Sequence, residues 1–369
     1  MDLEALDADA VAEAIVASGA APVAAAGCAA RTSSSSFGCF RTEVGGAAST
    51  FFDLASLTKP MTAVALARSG IDPAVPLASI LPELATTASG AIPLELVLAH
   101  RAGLAPSVAL FATLVDGGTI DRGEALRTAA NARRQDARGV PPPEGFPPVY
   151  SDMGYLLAGE ALARATGTRD AGEAIDRLVV APLGLEAELG TARELERRGI
   201  DLARLAAPTE DVPWRGGVVR GRVHDENAWA VTGAGGSGHA GMFGTVRAVV
   251  AFGCAVLDAL GTPASPLGSA RGLSWLIEPR PGGTLRAGFD GKSTEGSSAG
   301  TLAGGRTFGH LGFTGTSLWI DPGAAAVTAL LTNRVHPTRE HVAIRAARPR
   351  AHDALFARAR VLSRWSLSP

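Results

Sequence analysis

Lysine is nearly missing from this chain: of 34 basic residues only two, Lys59 and Lys292, are lysines. Arginine serves wherever a plain positive charge is enough. It keeps its proton throughout, whereas a buried lysine can lose one and act as a base. A salt-bridging lysine that never became arginine is the ordinary alternative, and the neighbours of Lys59 must decide. Cysteine is scarce too. Cys28, Cys39 and Cys254 are odd in number and lack metal-ligand spacing, which excludes a disulfide framework and points to reduced, structural thiols. A net charge of −2 gives no footing for nucleic acid or an anionic membrane. No stretch of 18 uncharged apolar residues exists to span a bilayer; Val16–Ala30 comes nearest and is broken by Gly19, Pro22 and Gly27. The acidic start, Met1 to Asp9, lacks the basic end and unbroken apolar run of a secretory signal, so a cytoplasmic protein is expected.

What is present centres on Phe52-Asp53-Leu54-Ala55-Ser56-Leu57-Thr58-Lys59-Pro60. An apolar strand end turns here into a helix that begins at Ser56 and stops near Gly70. Ser is a good helix starter, and Pro60 is tolerated near a helix start. Lys59 lies one turn after Ser56 on the same face, so amine and hydroxyl can meet. Unpaired N–H groups at the helix end complete the parts of an activated nucleophile.

The remaining pattern predicts helices over 2–18, 94–100, 105–115, 122–134, 153–165, 170–180, 192–198 and 246–260. Ile71–Leu81 reads as extended and turn-rich, and 205–240 as a long loop crossing the site. Strands are expected over 21–30 and 37–44, joined by a polar Arg31–Ser36 turn, and again over 273–277, 308–313, 317–321 and 326–333. A last helix, 338–365, carries Pro349. Strands at both ends with helices between them predict an α+β fold. One antiparallel sheet is flanked by the terminal helices, with a helical lobe inserted. Residues 1–60 and 265–369 form the sheet-bearing lobe of a single catalytic unit, 61–264 the mainly helical one, and a cleft lies between.

Two further segments carry chemistry. Tyr150-Ser151-Asp152 follows the rigid run Pro141–Pro148 and precedes a helix that Ser151 or Asp152 can cap. Tyr150 is one of only two tyrosines, and a phenol acts as a base only where nearby positive charge lowers its pKa. A tyrosine packed against its loop is the alternative. In Phe308–Pro322 small and apolar residues alternate beside a glycine-rich rim. A backbone N–H near Phe313, with that of Ser56, can form an oxyanion hole; an ordinary β-bulge is the alternative.

Together these segments resemble the serine β-lactamase-related family of class C β-lactamases, D-alanyl-D-alanine carboxypeptidases and family VIII esterases. Leu98–Leu104, Gly238–Gly244 and Leu330–Arg334 extend the likeness over nearly the whole chain. The resemblance implies Ser56 as nucleophile, with Lys59 as its proton acceptor or electrostatic partner. It implies Tyr150 as base and leaving-group acid, a small ester or amide substrate, and neither metal nor cofactor. Asp152, His310, Gly312 and Phe313 are the implied substrate contacts. Two departures bear on substrate. Asp152 stands where class C enzymes have Asn, and His310-Leu311-Gly312 replaces Lys-Thr-Gly, exchanging a permanent cation for an imidazole. Both favour an esterase-like or amidase-like member over a β-lactamase or peptidase. A binding module that keeps the fold without turnover is the reading from another class. His100, His224 and His239 read as structural, and Arg334 and Arg339 as solvated charge.

Overall fold

The computed structural model describes residues 6–32, 39–261, 265–268 and 270–364. Its central sheet contains β1 (Ala24–Arg31), β2 (Phe40–Gly46), β3 (Asp290–Gly291), β4 (Phe308–Leu311), β5 (Ser317–Asp321) and β6 (Ala326–Thr332), in the order β2-β1-β6-β5-β4-β3. Every pairing is antiparallel. The chain ends meet in the middle, where Ala24 pairs with Thr332 and Ala30 with Ala326.

Five of the eight residues of strand β1 are alanine, a composition with little intrinsic strand preference. Small side chains suit it because helices press on both faces. Ala24, Ala26, Cys28 and Ala30 face the terminal helices α1 (Ala8–Ala17) and α6 (Ile344–Arg364). Ala25 and Ala29 face the main core, where α4 (Val246–Gly261) packs. A Cβ on Gly27 would stand 3.0 Å from Val250 and 3.2 Å from Val246, so glycine here sets how closely α4 approaches. Two more helices frame the site, α2 (Thr58–Arg68) and α3 (Asp152–Thr166), with α5 (Ala270–Ile277) between α4 and α2. None of the helices, among the described residues, is long and apolar enough to cross a membrane.

Several expectations are corrected. Residues 273–277 are not a strand but part of the helix α5; Leu273 and Leu276 are both buried, and their three-residue spacing is a helical one. Of 105–115 only Ala112–Val115 is helical, because the backbone of Ala105 and Pro106 is engaged elsewhere. Ala105 donates to the Ala132 carbonyl, and Pro106 accepts from the Asp152 N–H. Helical turns also occur at Leu77–Ile80 and Glu226–Thr232, where extended chain and loop were expected. The last helix begins at Ile344 rather than Thr338 and continues through Pro349. Positions 2–5, Ser33–Ser36, Phe37 and Trp365 lie outside the described residues.

Candidate active site

The turn that carries Ser56 is clamped on both sides. Phe52 and Asp53 pair with Gly244 and Phe243, and Leu54 donates to the Met242 carbonyl at 2.9 Å. From the sheet, the Thr314 and Thr316 hydroxyls donate to the carbonyls of Asp53 and Leu54 at 2.7 and 3.0 Å. A Cβ on Gly312 would stand 2.6 Å from the Leu54 carbonyl oxygen, so this glycine lets β4 close onto the turn. The clamp holds Ala55 at φ +47°, a left-handed backbone conformation costly for a residue with a Cβ. The Asp53 carboxylate accepts from the Ala55 N–H at 2.8 Å and from the His224 N–H at 2.7 Å. Ser56 follows in a single 3-10 turn, Ala55–Leu57, that leads straight into α2.

Two acceptors hold the Lys59 amine. Its Nζ donates to Ser56 Oγ at 2.8 Å and to Asp152 Oδ1 at 2.6 Å, and it lies 4.7 Å from the centroid of the Tyr150 ring. Lys59 is fully buried. Burial pushes its pKa down, but the Asp152 carboxylate and Tyr150 outweigh this and the net shift is upward. The amine is therefore an ammonium at rest. The Tyr150 phenol is likewise shifted up, by burial that exceeds the opposing pull of Lys59, and it keeps its proton.

Tyr150 is held by a residue that the sequence reading left as structural. His100 sits at φ +59°, accepts the Ser151 N–H on Nδ1 at 3.0 Å, and stacks on the Tyr150 ring at 4.7 Å. Accepting on Nδ1 leaves the ring proton on Nε2. Ser151 caps α3 by accepting from the Gly154 N–H at 3.2 Å and donates to Ala105 O at 2.6 Å. That frees Asp152 to turn toward Lys59.

Ser56, Tyr150 and Asp152 line one cavity of about 390 Å³ with Ala55, Gly312 and Phe313. The volume suits a small organic substrate. The Phe313 N–H has no hydrogen-bond partner among the described residues and stays available beside Ser56. His310 is not on the cavity wall. It lies behind Tyr150 with ring centroids 5.9 Å apart, and its Nδ1 bonds the Leu311 carbonyl at 2.7 Å. Burial, reinforced by Lys59, drives its pKa down to about 3, so the imidazole is neutral instead of a titrating stand-in for lysine. His224 does line the cavity, buried against Phe313. His239 bridges Asp225 and Ser237 at 2.9 and 2.8 Å. Arg334 donates to the carbonyls of Phe313, Arg339 and His341, and Arg339 pairs with Glu210 and Glu226. Neither is simply solvated. All three cysteines are unpaired, and no cluster able to hold a metal ion occurs among the described residues.

Buried imidazoles make stability depend on acid. Burial holds His224, His310 and His352 at about 3 and His100 well below its usual value, so all four are neutral when folded. Each takes a proton on unfolding below pH 6.5, and stability is lost as pH falls toward 3. Asp53 opposes this: burial raises its carboxyl to about 6, so it binds a proton on folding between pH 3.8 and 6. Unfolding near pH 5 then takes up about three protons, a slope of about 4 kcal/mol per pH unit. Urea unfolding at pH 7 and pH 5 should show a much lower midpoint in acid. Equal midpoints would contradict these burial assignments.

Residues 8–352 match the Beta-lactamase family. The chain belongs to that family. A putative D-alanyl-D-alanine carboxypeptidase of Escherichia coli O157:H7 is 29% identical over 201 residues, covering 51% of this chain and 45% of that protein. The chain thus spans about half the length of the curated relatives it matches. A penicillin-binding protein homolog from Caulobacter crescentus shares the fold with a TM-score of 0.62 at 20% identity, with 94% of each chain covered. A family VIII carboxylesterase does so with a TM-score of 0.60 at 19% identity, covering 92% of this chain and 95% of that one. The β-lactamase/transpeptidase-like fold is common to all of them.

Proposed function

We propose that this family member is a serine hydrolase that forms an acyl-enzyme on Ser56 and acts on small esters or amides. The observation that carries the reading is Ser56, Tyr150 and Asp152 on the wall of a substrate-sized cavity, with the buried Lys59 amine behind them bonded to Ser56 and Asp152. Lys59 donates to Ser56 Oγ, so the serine proton is free to point at Tyr150, whose phenol lines the same cavity. As Ser56 Oγ bonds the acyl carbon, its proton passes to the Tyr150 oxygen. Tyr150 delivers its own proton to the departing alcohol or amine as the acyl–heteroatom bond breaks. One proton moves in net terms, and the phenol need not ionise at rest. Water then attacks the acyl carbon and passes a proton to the Tyr150 oxygen as Tyr150 returns its own to Ser56 Oγ and the acyl–Oγ bond breaks, releasing the acid and restoring the serine. The Lys59 ammonium steadies each developing oxyanion near it, and the N–H groups of Ser56 and Phe313 receive the carbonyl oxygen.

Asp152 lines the cavity as a fixed anion, and Gly312 and Phe313 shape the wall beneath the acyl group. His310 enters as support for Tyr150. The two-lobe division read from the sequence, 1–60 with 265–369 against 61–264, is kept as our description of the catalytic unit, with α4 packed on the sheet. Unpaired cysteines support a cytoplasmic setting. No nucleic-acid partner is proposed.

Steady-state assays with p-nitrophenyl butyrate and nitrocefin test the substrate class. Sustained release of p-nitrophenol with slow or absent cephalosporin turnover is expected, since the strand cation suited to a β-lactam carboxylate is a neutral histidine. Faster turnover of nitrocefin would move the protein to the β-lactamase or peptidase reading. A single burst without turnover would make it an acylated binding module.

A further inference from the structure

The cavity beside Ser56 contains a charge that the mechanism does not use. Arg348 lines it from α6, is only 6% exposed, and makes no hydrogen bond or ion pair with any described residue. Its Nε is wholly buried without a partner. The other arginines on this wall differ. Arg334 makes three hydrogen bonds to carbonyls through Nε and one terminal nitrogen, Arg339 is bound by two carboxylates, and Arg345 is exposed. A guanidinium taken out of water with nothing to answer its charge is unfavourable, and buried polar groups are ordinarily paired. Burial and the charges of Arg334 and Arg345 pull its pKa down to about 10, which still leaves it fully charged at neutral pH. His224, on the same cavity, also has both ring nitrogens buried without a hydrogen-bond partner. The site is short of an acceptor-rich ligand.

We infer that Arg348 is the anion anchor of this cavity, so that the ester or amide turned over at Ser56 carries one carboxylate, held by the Arg348 guanidinium on the α6 wall. A carboxylate matches the planar two-pronged donor geometry of arginine. A doubly charged phosphate fits less well, because Asp225 and Glu226 border the same space. The anchor lies on the C-terminal helix, away from the sheet strand where His310 has withdrawn behind Tyr150. Arg334 and Arg339, which read from the sequence as solvated charge, are held by carbonyls and carboxylates of the protein itself. The inference rests on Ser56 being the nucleophile, and its test separates the two.

The test compares neutral esters with carboxylated counterparts: p-nitrophenyl butyrate against p-nitrophenyl hydrogen glutarate, and phenyl butyrate against 4-butyryloxybenzoate. The pairs place the carboxylate on the acyl or the leaving side. Wild type is expected to prefer the carboxylated ester in at least one pair. That kcat/KM ratio should fall about 10- to 100-fold in Arg348→Gln, the scale for losing a hydrogen bond to a charged group, and be partly restored in Arg348→Lys. Free glutarate should raise the Tm of wild type and not that of Arg348→Gln. Arg348→Met, which removes a buried unpaired charge, should melt no lower than wild type and guards against a folding artefact. An unchanged ratio in folded variants, with Ser56 still acylated, overturns the anchor alone. Absence of acylation at Ser56 in wild type overturns the hydrolase reading and the anchor with it.

Discussion

Tyr150→Phe is expected to lower kcat/KM for a p-nitrophenyl ester by about two to four orders of magnitude, the usual scale for losing a general acid–base. The melting temperature should stay where it is. The phenyl ring keeps its stack on His100 and its face toward Lys59 Nζ, 4.7 Å from the ring centroid. Only the hydroxyl is removed, and with it the one group that joins Ser56 to the leaving group. Both kcat and kcat/KM should fall, because the proton relay is needed in the transition state and not for binding. Tyr155→Phe is the internal control. That hydroxyl is buried and donates to the Leu98 carbonyl at 2.8 Å, so its loss costs stability before activity. A Tyr150→Phe enzyme that loses Tm and activity together would make Tyr150 a packing residue.

The relay also bears on Lys59. The sequence left two roles open for it, proton acceptor or electrostatic partner. Only the structure shows the amine shared between Ser56 and a second acceptor, Asp152, ninety-three residues away. No spacing rule could place that carboxylate, because it depends on how α3 docks beside α2. What the sequence did carry was local chemistry: Ser56 and Lys59 one turn apart, and Ser151 and Asp152 as the two candidates to cap α3, of which the structure uses Ser151.

The fold was legible where composition and period agree. Alternating small and apolar residues marked β4 and β5, and the helical pattern over 153–165 marked α3. Helix α5 was missed because its apolar run is short, and a short run suits either period until its partners are known. The site was least legible where backbone, and not side chains, does the work. The left-handed Ala55 and His100 carry no glycine to announce them. The carbonyls of Ala105 and Pro106 position Ser151 and Asp152 from a segment whose letters read as helix. Asp53 had a weak signal, an acid inside an apolar run, and it proves to hold the turn before the nucleophile.

The central claim is that Ser56 is the nucleophile, and covalent labelling tests it most directly. The protein is treated with a fluorophosphonate, its intact mass is read, and the adduct is mapped on peptides. Ser56 stands at a clamped turn beside the Lys59 ammonium and lines the cavity with the Tyr150 phenol, whereas buried serines such as Ser237 and Ser317 are held in histidine contacts away from the cavity. Wild type should gain one probe mass on the peptide containing Ser56, and Ser56→Ala none, with ester turnover abolished in that variant. An adduct on any other serine, or turnover that survives in Ser56→Ala, would contradict the account.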